Sequence, residues 1–455
     1  MDIQRLILQP DVEAVLARSY HFKVSDAEAE GKKPGALPDL LQWLATPPMF
    51  TTLRVNTVTT TTQAAKEHVE QELEQQCVTR KAENFTVKAH HCLPDCLVIF
   101  NTGPHLPHEQ ADMEVIVDVP CGMAILRGAD IFKQGILGAP TAMQAGSRVQ
   151  VMCDLDGKCL RGFTQPYQGK KLYVGTGVAL VSREEVFCAD PSTLRGVGIQ
   201  MTEPLYQAPS LSDILPSAVF AQNLPSIVCG HVLSPLPGQT VIDMCAAPGG
   251  KTCHLAALMK NKGRLVALDK TADKVSKITR NADNLGITCI ESYAFDSRKA
   301  MQEKADISGG PPYPPDSFDA VLLDGPCSAL GQRPSVRNKM TASSLASFPK
   351  LQRMLFSTAV SLLKPGGVLV YSTCTVTVEE NEDQVAWVLQ TYPEMALEKQ
   401  NPHLGGCGLV HSSLSADECQ LVQRFDLSSL AGSIKKDSDS DTIGFFIAKF
   451  RKKEK

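Results

Sequence analysis

At 455 residues, with 43% hydrophobic and 21% charged residues, the chain is long enough for two or three domains with buried cores, and its composition excludes a disordered or fibrous protein. A formal net charge of -4 and a pI near 6.2 exclude a uniformly basic nucleic-acid binder, so a nucleic-acid partner must be met by a local basic patch. The 15 cysteines are odd in number and form no paired Cys-x-x-Cys clusters, which favours reduced thiols inside a cell over a disulfide scaffold; Cys92 and Cys96 lack a second ligand pair, so no metal is expected.

Met1 to Pro10 carries both charge signs and no long apolar core, so neither a signal peptide nor a membrane anchor is expected there. Helical spacing begins at Asp11 and again at Asp39, the second run ending at Pro47-Pro48. Phe50 to Thr57 alternates and is β-branched, which predicts a strand; Arg54 and Asn56 are expected on its solvated face. Ala64, Ala65, Val69 and Leu73 predict a helix over Thr62–Gln76, and Cys92 to Phe100 predicts another strand. Residues 1–110 therefore read as an α+β segment without an evident catalytic constellation. Residues 112–204 read as a small β-barrel: Glu114–Asp118, Ala124–Arg127, Arg148–Met152 and Lys171–Val181 are strand-like and punctuated by glycine. From Arg148 to Arg183 six basic residues face two acidic ones, which suits a nucleic-acid backbone and equally a solvated barrel surface.

Residues 205–455 are organised around Val241 to Thr252, an apolar run that meets a glycine-rich loop and then a helical pattern over Cys253–Leu258. Gly250-Lys251-Thr252 is half of a phosphate-binding loop, since Cys245 stands where the first glycine belongs, and the dinucleotide spacing is absent. An S-adenosylmethionine turn and an ordinary strand-to-helix turn remain. Gly263–Asp269, Cys289–Phe295, Ser317–Asp324 and Val368–Thr373 predict the following strands, with helices over Asp273–Asn284 and Leu351–Leu363. Asp269 stands where a ribose diol is held, and Asp296 where an adenine amino group would be met. Three acids at successive strand ends behind that turn favour a nucleoside cofactor held by Cys245, Ala246, Ala247, Pro248, Gly249, Gly250, Lys251, Asp269, Asp296 and Asp324. Cys327 and Cys374 stand just past two strand ends on the ligand-binding edge, where thiols can add to a pyrimidine ring and help eliminate it. In the tail, Thr377-x-x-Glu380 predicts a capping box, Lys435–Asp441 a solvated loop, Thr442–Phe450 a last strand and Arg451–Lys455 a frayed basic end.

Two resemblances follow from quoted phrases. Cys121-Gly-Met-Ala-Ile-Leu-Arg-Gly-Ala-Asp resembles the signature of PUA domains, small barrels that bind structured RNA. Asp243-Met-Cys-Ala-Ala-Pro-Gly-Gly-Lys-Thr, Asp324-Gly-Pro-Cys-Ser and Tyr371-Ser-Thr-Cys-Thr with Glu379-Glu-Asn-Glu resemble the Sun-type (NSUN) RNA cytosine-5 methyltransferases. This resemblance implies a Rossmann-like doubly wound domain that uses S-adenosylmethionine. It implies Cys374 as the nucleophile at carbon 6, Cys327 as the release residue, Asp324 on the pyrimidine edge and Lys251 beside them. DNA cytosine methyltransferases carry their nucleophile on the Pro-Cys loop, so Thr373-Cys374 is what points to RNA. The inserted PUA-like segment implies the branch of the family that methylates the acceptor stem of transfer RNA near its 3′ CCA end, with Arg127, Lys158, Arg161 and Lys171 as RNA contacts. Messenger or ribosomal RNA as substrate, or a catalytically silent RNA-binding scaffold, are the alternatives. No membrane or protein partner is indicated, and the expected compartment is the cytoplasm, with the basic end a weak nuclear signal. Gly325 and Ala329 depart from the family phrase Asp-Ala-Pro-Cys-Ser-Gly.

Overall fold

Three sheets divide the chain. The structure, a computed structural model, describes residues 5–29, 37–80, 84–106, 111, 113–187, 195–211, 214, 217–410, 412–430 and 437–454. The N-terminal helices Pro10–Ala29 and Leu37–Ala45 precede β1 (Phe50–Val55), β2 (Val87–Ala89) and β3 (Cys96–Phe100). These strands lie antiparallel in the order β10-β1-β3-β2, where β10 (Val219–Ala221) arrives from beyond residue 205. The helix Thr62–Arg80 sets Ala65, Val69 and Leu73 against this sheet. A solvated Arg54 and Asn56 are overturned: both are buried, because β1 is an interior strand and the catalytic unit covers it. Arg54 Nε donates to Gln222 Oε1 (2.7 Å), and Asn56 Nδ2 donates to Leu285 O (2.8 Å).

The middle unit is a six-stranded sheet of β4 (Met113–Val117), β5 (Ile131–Phe132), β6 (Ile136–Gly138), β7 (Arg148–Asp154), β8 (Lys171–Ala179) and β9 (Val197–Pro204), in the order β5-β9-β8-β7-β4-β6. The strand expected at Ala124–Arg127 is instead the end of a helix, Val119–Ile125, and the turn after it. Asp118 accepts from Cys121 N at its N-cap, and Pro120 occupies the first turn, where a missing N–H costs no hydrogen bond. Gly128 then reverses the chain at φ 93°; a β-carbon there would lie 2.5 Å from Ala208 O.

The C-terminal unit contains β11 (Thr240–Asp243), β12 (Arg264–Asp269), β13 (Ile290–Ala294), β14 (Phe318–Asp324), β15 (Leu363–Thr373), β16 (Met395–Leu397), β17 (Val422–Phe425) and β18 (Phe445–Lys452). Their order is β13-β12-β11-β14-β15-β18-β16, with β17 also on β18; β11 to β15 are parallel and β18 runs against them. Both faces are covered, which is why these strands read as continuous apolar runs. Ile242, Val321, Leu323 and Leu369 pack with Phe356 and Ala359 of the helix Ser347–Leu362 on one face. Val241, Leu265, Leu322 and Val370 pack on the other against the helices Leu224–Leu233 and Gly250–Leu258.

Three readings of the tail are corrected. The helix begins at Glu382 and Asn381 caps it without a side-chain bond; the Thr377 hydroxyl donates to Glu380 Oε1 (2.9 Å) instead of accepting from a backbone amide. Asp439 and Asp441 are not merely solvated: Asp439 Oδ1 meets His90 Nε2 (2.6 Å) and Asp441 pairs with Arg333 (2.7 Å). Lys435 and Lys436 lie outside the described residues. Arg451 and Lys452 belong to β18, and Lys452 is buried with Nζ on Asp316 and two backbone carbonyls, so this end is anchored rather than frayed. Among the described residues every cysteine is a free thiol, and no helix is long and apolar enough to cross a membrane.

Candidate active site

The parallel strands bring their carboxyl ends to one edge, and the predicted acids stand there together. Asp243, at the end of β11, is buried and accepts from Thr252 Oγ1 (2.7 Å) and Cys245 N (3.3 Å); burial pushes its pKa up to about 7. Gly249 turns the loop at φ 104°, and a β-carbon there would come within 3.1 Å of Ile278 Cα, so this turn requires glycine. The loop then enters the helix Gly250–Leu258. Asp269, at the end of β12 and 7% exposed, accepts from Ala247 N (3.2 Å) and Lys270 N (2.7 Å) and pairs with Lys274 (3.0 Å). Asp296 caps the 3₁₀ turn Ser297–Lys299 and is engaged by Arg298, whose hydrogen bond holds its pKa down at about 2. A close glycine turn followed by a buried carboxylate at the next strand end is the donor set an adenosyl group needs.

Asp324, at the end of β14, joins the two halves of the edge. Its Oδ2 accepts from Lys251 Nζ (2.7 Å) and its Oδ1 from Ser372 Oγ (2.6 Å). Burial lowers the Lys251 pKa, but the Asp324 charge outweighs it and the net shift is upward, so this lysine stays a cation. Cys327 and Cys374 meet with their sulfurs 3.5 Å apart. The hydrogen bond from Cys327 holds the Cys374 thiol below its ordinary range, against burial, with smaller help from the Gln332 side chain and the Lys251 charge. The same bond, then burial, pushes Cys327 well above its own. The two thiols titrate as a pair, and of the two Cys374 is the one more readily deprotonated. Ser372 and Gln332 went unread in the sequence; Ser372 stood in the same phrase as Cys374, whereas Gln332 gave no signal.

A cavity of about 810 Å³ opens where the three units meet. Cys245 to Pro248, Lys251 and Asp324 line it from the catalytic unit, Thr51 and Thr52 from β1, and Arg127 from the turn after the middle unit's helix. Asp269, Asp296, Cys327 and Cys374 are not among its lining residues. Of the four residues expected on RNA, Arg127 faces this cavity and Lys158 is exposed near Arg337 and Lys339, which approach Gly157. The other two are engaged within the middle unit. Lys171 is paired with Glu114 (2.6 Å), and Arg161 donates to the carbonyls of Ile136 and Val186 (both 2.8 Å). Arg148 likewise pairs with Glu203 (2.8 Å), so Arg148 and Lys171, two of the six cations of the predicted positive stretch, are neutralised by partners across the sheet.

Among the described residues two clusters bring metal-ligand atoms together. In one, Asp95 receives His231 Nε2 (2.6 Å) and His254 Nε2 (2.8 Å), one on each oxygen. In the other, His90 Nδ1 accepts from the Cys92 and Leu93 amides while Nε2 meets Asp439. At these hydrogen-bond lengths each cluster forms a polar network.

The strand order, the glycine turn behind β11 and the carboxylates on the following strands define an α/β methyltransferase of the S-adenosylmethionine type. Residues 230–451 match the family model described as 16S rRNA methyltransferase RsmB/F. The mouse protein tRNA (cytosine(72)-C(5))-methyltransferase NSUN6 is 43% identical over 98% of this chain and 97% of its own. The Arabidopsis thaliana protein rRNA (cytosine-C(5))-methyltransferase NOP2C is 30% identical over 94% of this chain and 90% of its own. The crystal structure of NSun6 from Pyrococcus horikoshii with SFG matches with a TM-score of 0.74 at 28% identity, covering 98% of this chain and 99% of that one. The chain belongs to the Sun-type RsmB/F family of RNA cytosine-5 methyltransferases, and its methyl donor is S-adenosylmethionine.

Proposed function

We propose that this enzyme methylates carbon 5 of a cytosine in the acceptor stem of transfer RNA, next to the 3′ CCA end, at position 72 as named for the mouse relative. The single observation that carries the chemistry is the sulfur pair, 3.5 Å apart, in which the Cys374 thiol is held below its ordinary range and the Cys327 thiol above its own. Carbon 5 of cytosine is a poor nucleophile. Addition of the Cys374 thiolate at carbon 6 makes an enamine and loads electron density onto carbon 5. Asp324, fixed by Lys251 and Ser372, lies on the pyrimidine edge near N3 and accepts a hydrogen bond from the exocyclic amine. Cys245, Ala246, Ala247, Pro248, Gly249, Gly250, Lys251, Asp269, Asp296 and Asp324 hold the cofactor, which supplies an electrophilic methyl group when bound. After methylation a base takes the carbon 5 proton, the 5,6 double bond re-forms and Cys374 leaves carbon 6 as a thiolate; Cys327 assists this elimination. A paired cytosine must first be taken out of its stem, at a cost of a few kcal/mol.

The middle unit is read as a PUA-like module that grips the unpaired 3′ end, with Arg127 and Lys158 as contacts. Ribosomal RNA is the second reading, favoured by the name of the Arabidopsis relative.

The test is a trap. Cys327→Ala protein is incubated with small cellular RNA and S-adenosylmethionine and run on a denaturing gel. A slow-migrating protein–RNA adduct is expected, absent from the Cys327→Ala/Cys374→Ala double variant. Sequencing the trapped RNA separates transfer from ribosomal RNA. Absence of the adduct, while wild type methylates the same RNA, removes the two-cysteine assignment.

A further inference from the structure

Glu380 is fully buried, and neutral donors surround it. Its Oε2 accepts from the backbone amide of Ser328 (2.9 Å) and from Gln352 Nε2 (3.1 Å), and its Oε1 accepts from the Thr377 hydroxyl (2.9 Å). Gln352 Nε2 donates in addition to Pro326 O (3.0 Å), so the peptide units on either side of Cys327 are both fastened to this group. On the other loop, Thr377 lies three residues past Cys374, and Thr375 Oγ1 meets Ser328 Oγ at 2.7 Å. The backbone carbonyl of Glu380 itself accepts from Tyr371 OH (2.6 Å), at the end of β15. A buried carboxylate without a cation is costly to keep. Its two oxygens here divide between the two loops that present the sulfurs.

We propose that Glu380 is a positioning residue for methyl transfer, a buried carboxylate that ties the Cys327 loop to the Cys374 loop and holds their sulfurs in apposition. Burial raises the pKa of Glu380 itself, and its carboxylate adds, after the Cys374 hydrogen bond and burial, to the upward shift of Cys327. The inference rests on the two-cysteine reading above, so its test includes a readout that needs no catalysis. Full-length protein is oxidised with diamide, which takes two electrons and two protons from a thiol pair as the disulfide forms, and the Cys327–Cys374 cross-linked peptide is timed by mass spectrometry. Wild type is expected to cross-link readily, and Glu380→Ala about tenfold or more slowly. Glu380→Ala is further expected to lose about a hundredfold in kcat for RNA methylation with S-adenosylmethionine binding unchanged. Glu380→Gln keeps an acceptor for Ser328 and Gln352 and a donor that Thr377 can receive, so it is expected to restore cross-linking to within a few fold of wild type. A merely structural role lowers the melting temperature without slowing cross-linking in the folded protein, and that result overturns the proposal. Should Glu380→Ala not fold, Thr377→Val removes one of the bonds and is expected to slow cross-linking about threefold to tenfold; an unchanged rate there overturns it as well. Cross-linking that depends on Glu380 in a wild type that methylates no RNA leaves the positioning role standing and refutes the function above.

Discussion

Ala329 stands at φ 56°, in the left-handed region, at the position where the family phrase has glycine. A β-carbon in that conformation costs about 1–2 kcal/mol, and the extra freedom of glycine in the unfolded chain returns part of it. Ala329→Gly is therefore expected to raise unfolding free energy by about 0.5–1 kcal/mol in a urea melt. A loss of stability would show that the methyl group packs. At this scale the sequence was legible where chemistry and strand ends coincide. Asp243, Asp269, Asp324, Cys327 and Cys374 are placed by their own strands, so reading the strands places them. Arg54, Arg161 and Lys171 were not legible, because a cation's partner decides its role and these partners, Gln222, Val186 and Glu114, come from elsewhere in the chain. Glu380 was hidden for the same reason: its phrase was visible, but two of the three residues bonded to its side chain, Ser328 and Gln352, come from elsewhere in the chain.

The helix Gly250–Leu258 does two jobs, since one end closes the cofactor loop and its interior carries His254 onto Asp95 of the N-terminal unit. His254 is fully buried, and burial lowers its pKa from 6.5 to about 4 although Asp95 opposes the shift. In the unfolded chain the imidazole takes a proton below its ordinary value. Stability from this group is therefore full above pH 6.5 and is lost as the pH falls towards 4, by about 1–3 kcal/mol. His254→Gln, which can still donate to Asp95, is expected to flatten that loss. Urea melts at pH 6.5 and 4.5 measure it, and an unchanged slope assigns the acid sensitivity elsewhere. Long elements were legible, β14 and β15 from their continuous apolar runs and the helix Thr62–Arg80 from its period. The helix Val119–Ile125 was misread because Ala-Ile-Leu is too short an apolar run to separate a helix from a strand; the signal lay in Asp118 and Pro120 ahead of it. The three residues of β10 carry no period at all.

Across the whole molecule, Arg333 fastens the ends of the chain beside the catalytic edge. It is buried, with Nη1 on Asp441 (2.7 Å) and on the Thr442 carbonyl, Nε on Trp43 O (2.8 Å), and its guanidinium over the Trp43 ring at 4.1 Å. The same N-terminal helices pack Leu16, Leu40 and Leu44 against Leu330 and Val376, which flank the two cysteine loops. Arg333→Met leaves Asp441 buried without its cation, and is expected to cost about 3–5 kcal/mol in a denaturant melt. A cost below about 1 kcal/mol would mean that water reaches the pair. Changes in composition and pattern divide the chain near residues 110 and 205, yet β10, beyond the second boundary, belongs to the first sheet. The seams were not legible, because they are made by pairings between distant residues.

One of those pairings governs the order in which the protein can form. β1 finds its neighbour β3 soon after synthesis, but its other edge is paired by β10, roughly 160 residues later. At about 5–20 residues per second, that edge stays open for roughly ten to thirty seconds while the entire middle unit emerges. An open strand edge is a template for pairing with another chain. The nascent protein thus passes through a stage in which its first sheet is exposed to neighbouring ribosomes' products. Rapid folding of the middle unit, which draws β10 back to the point where the chain left the first sheet, is what ends that exposure.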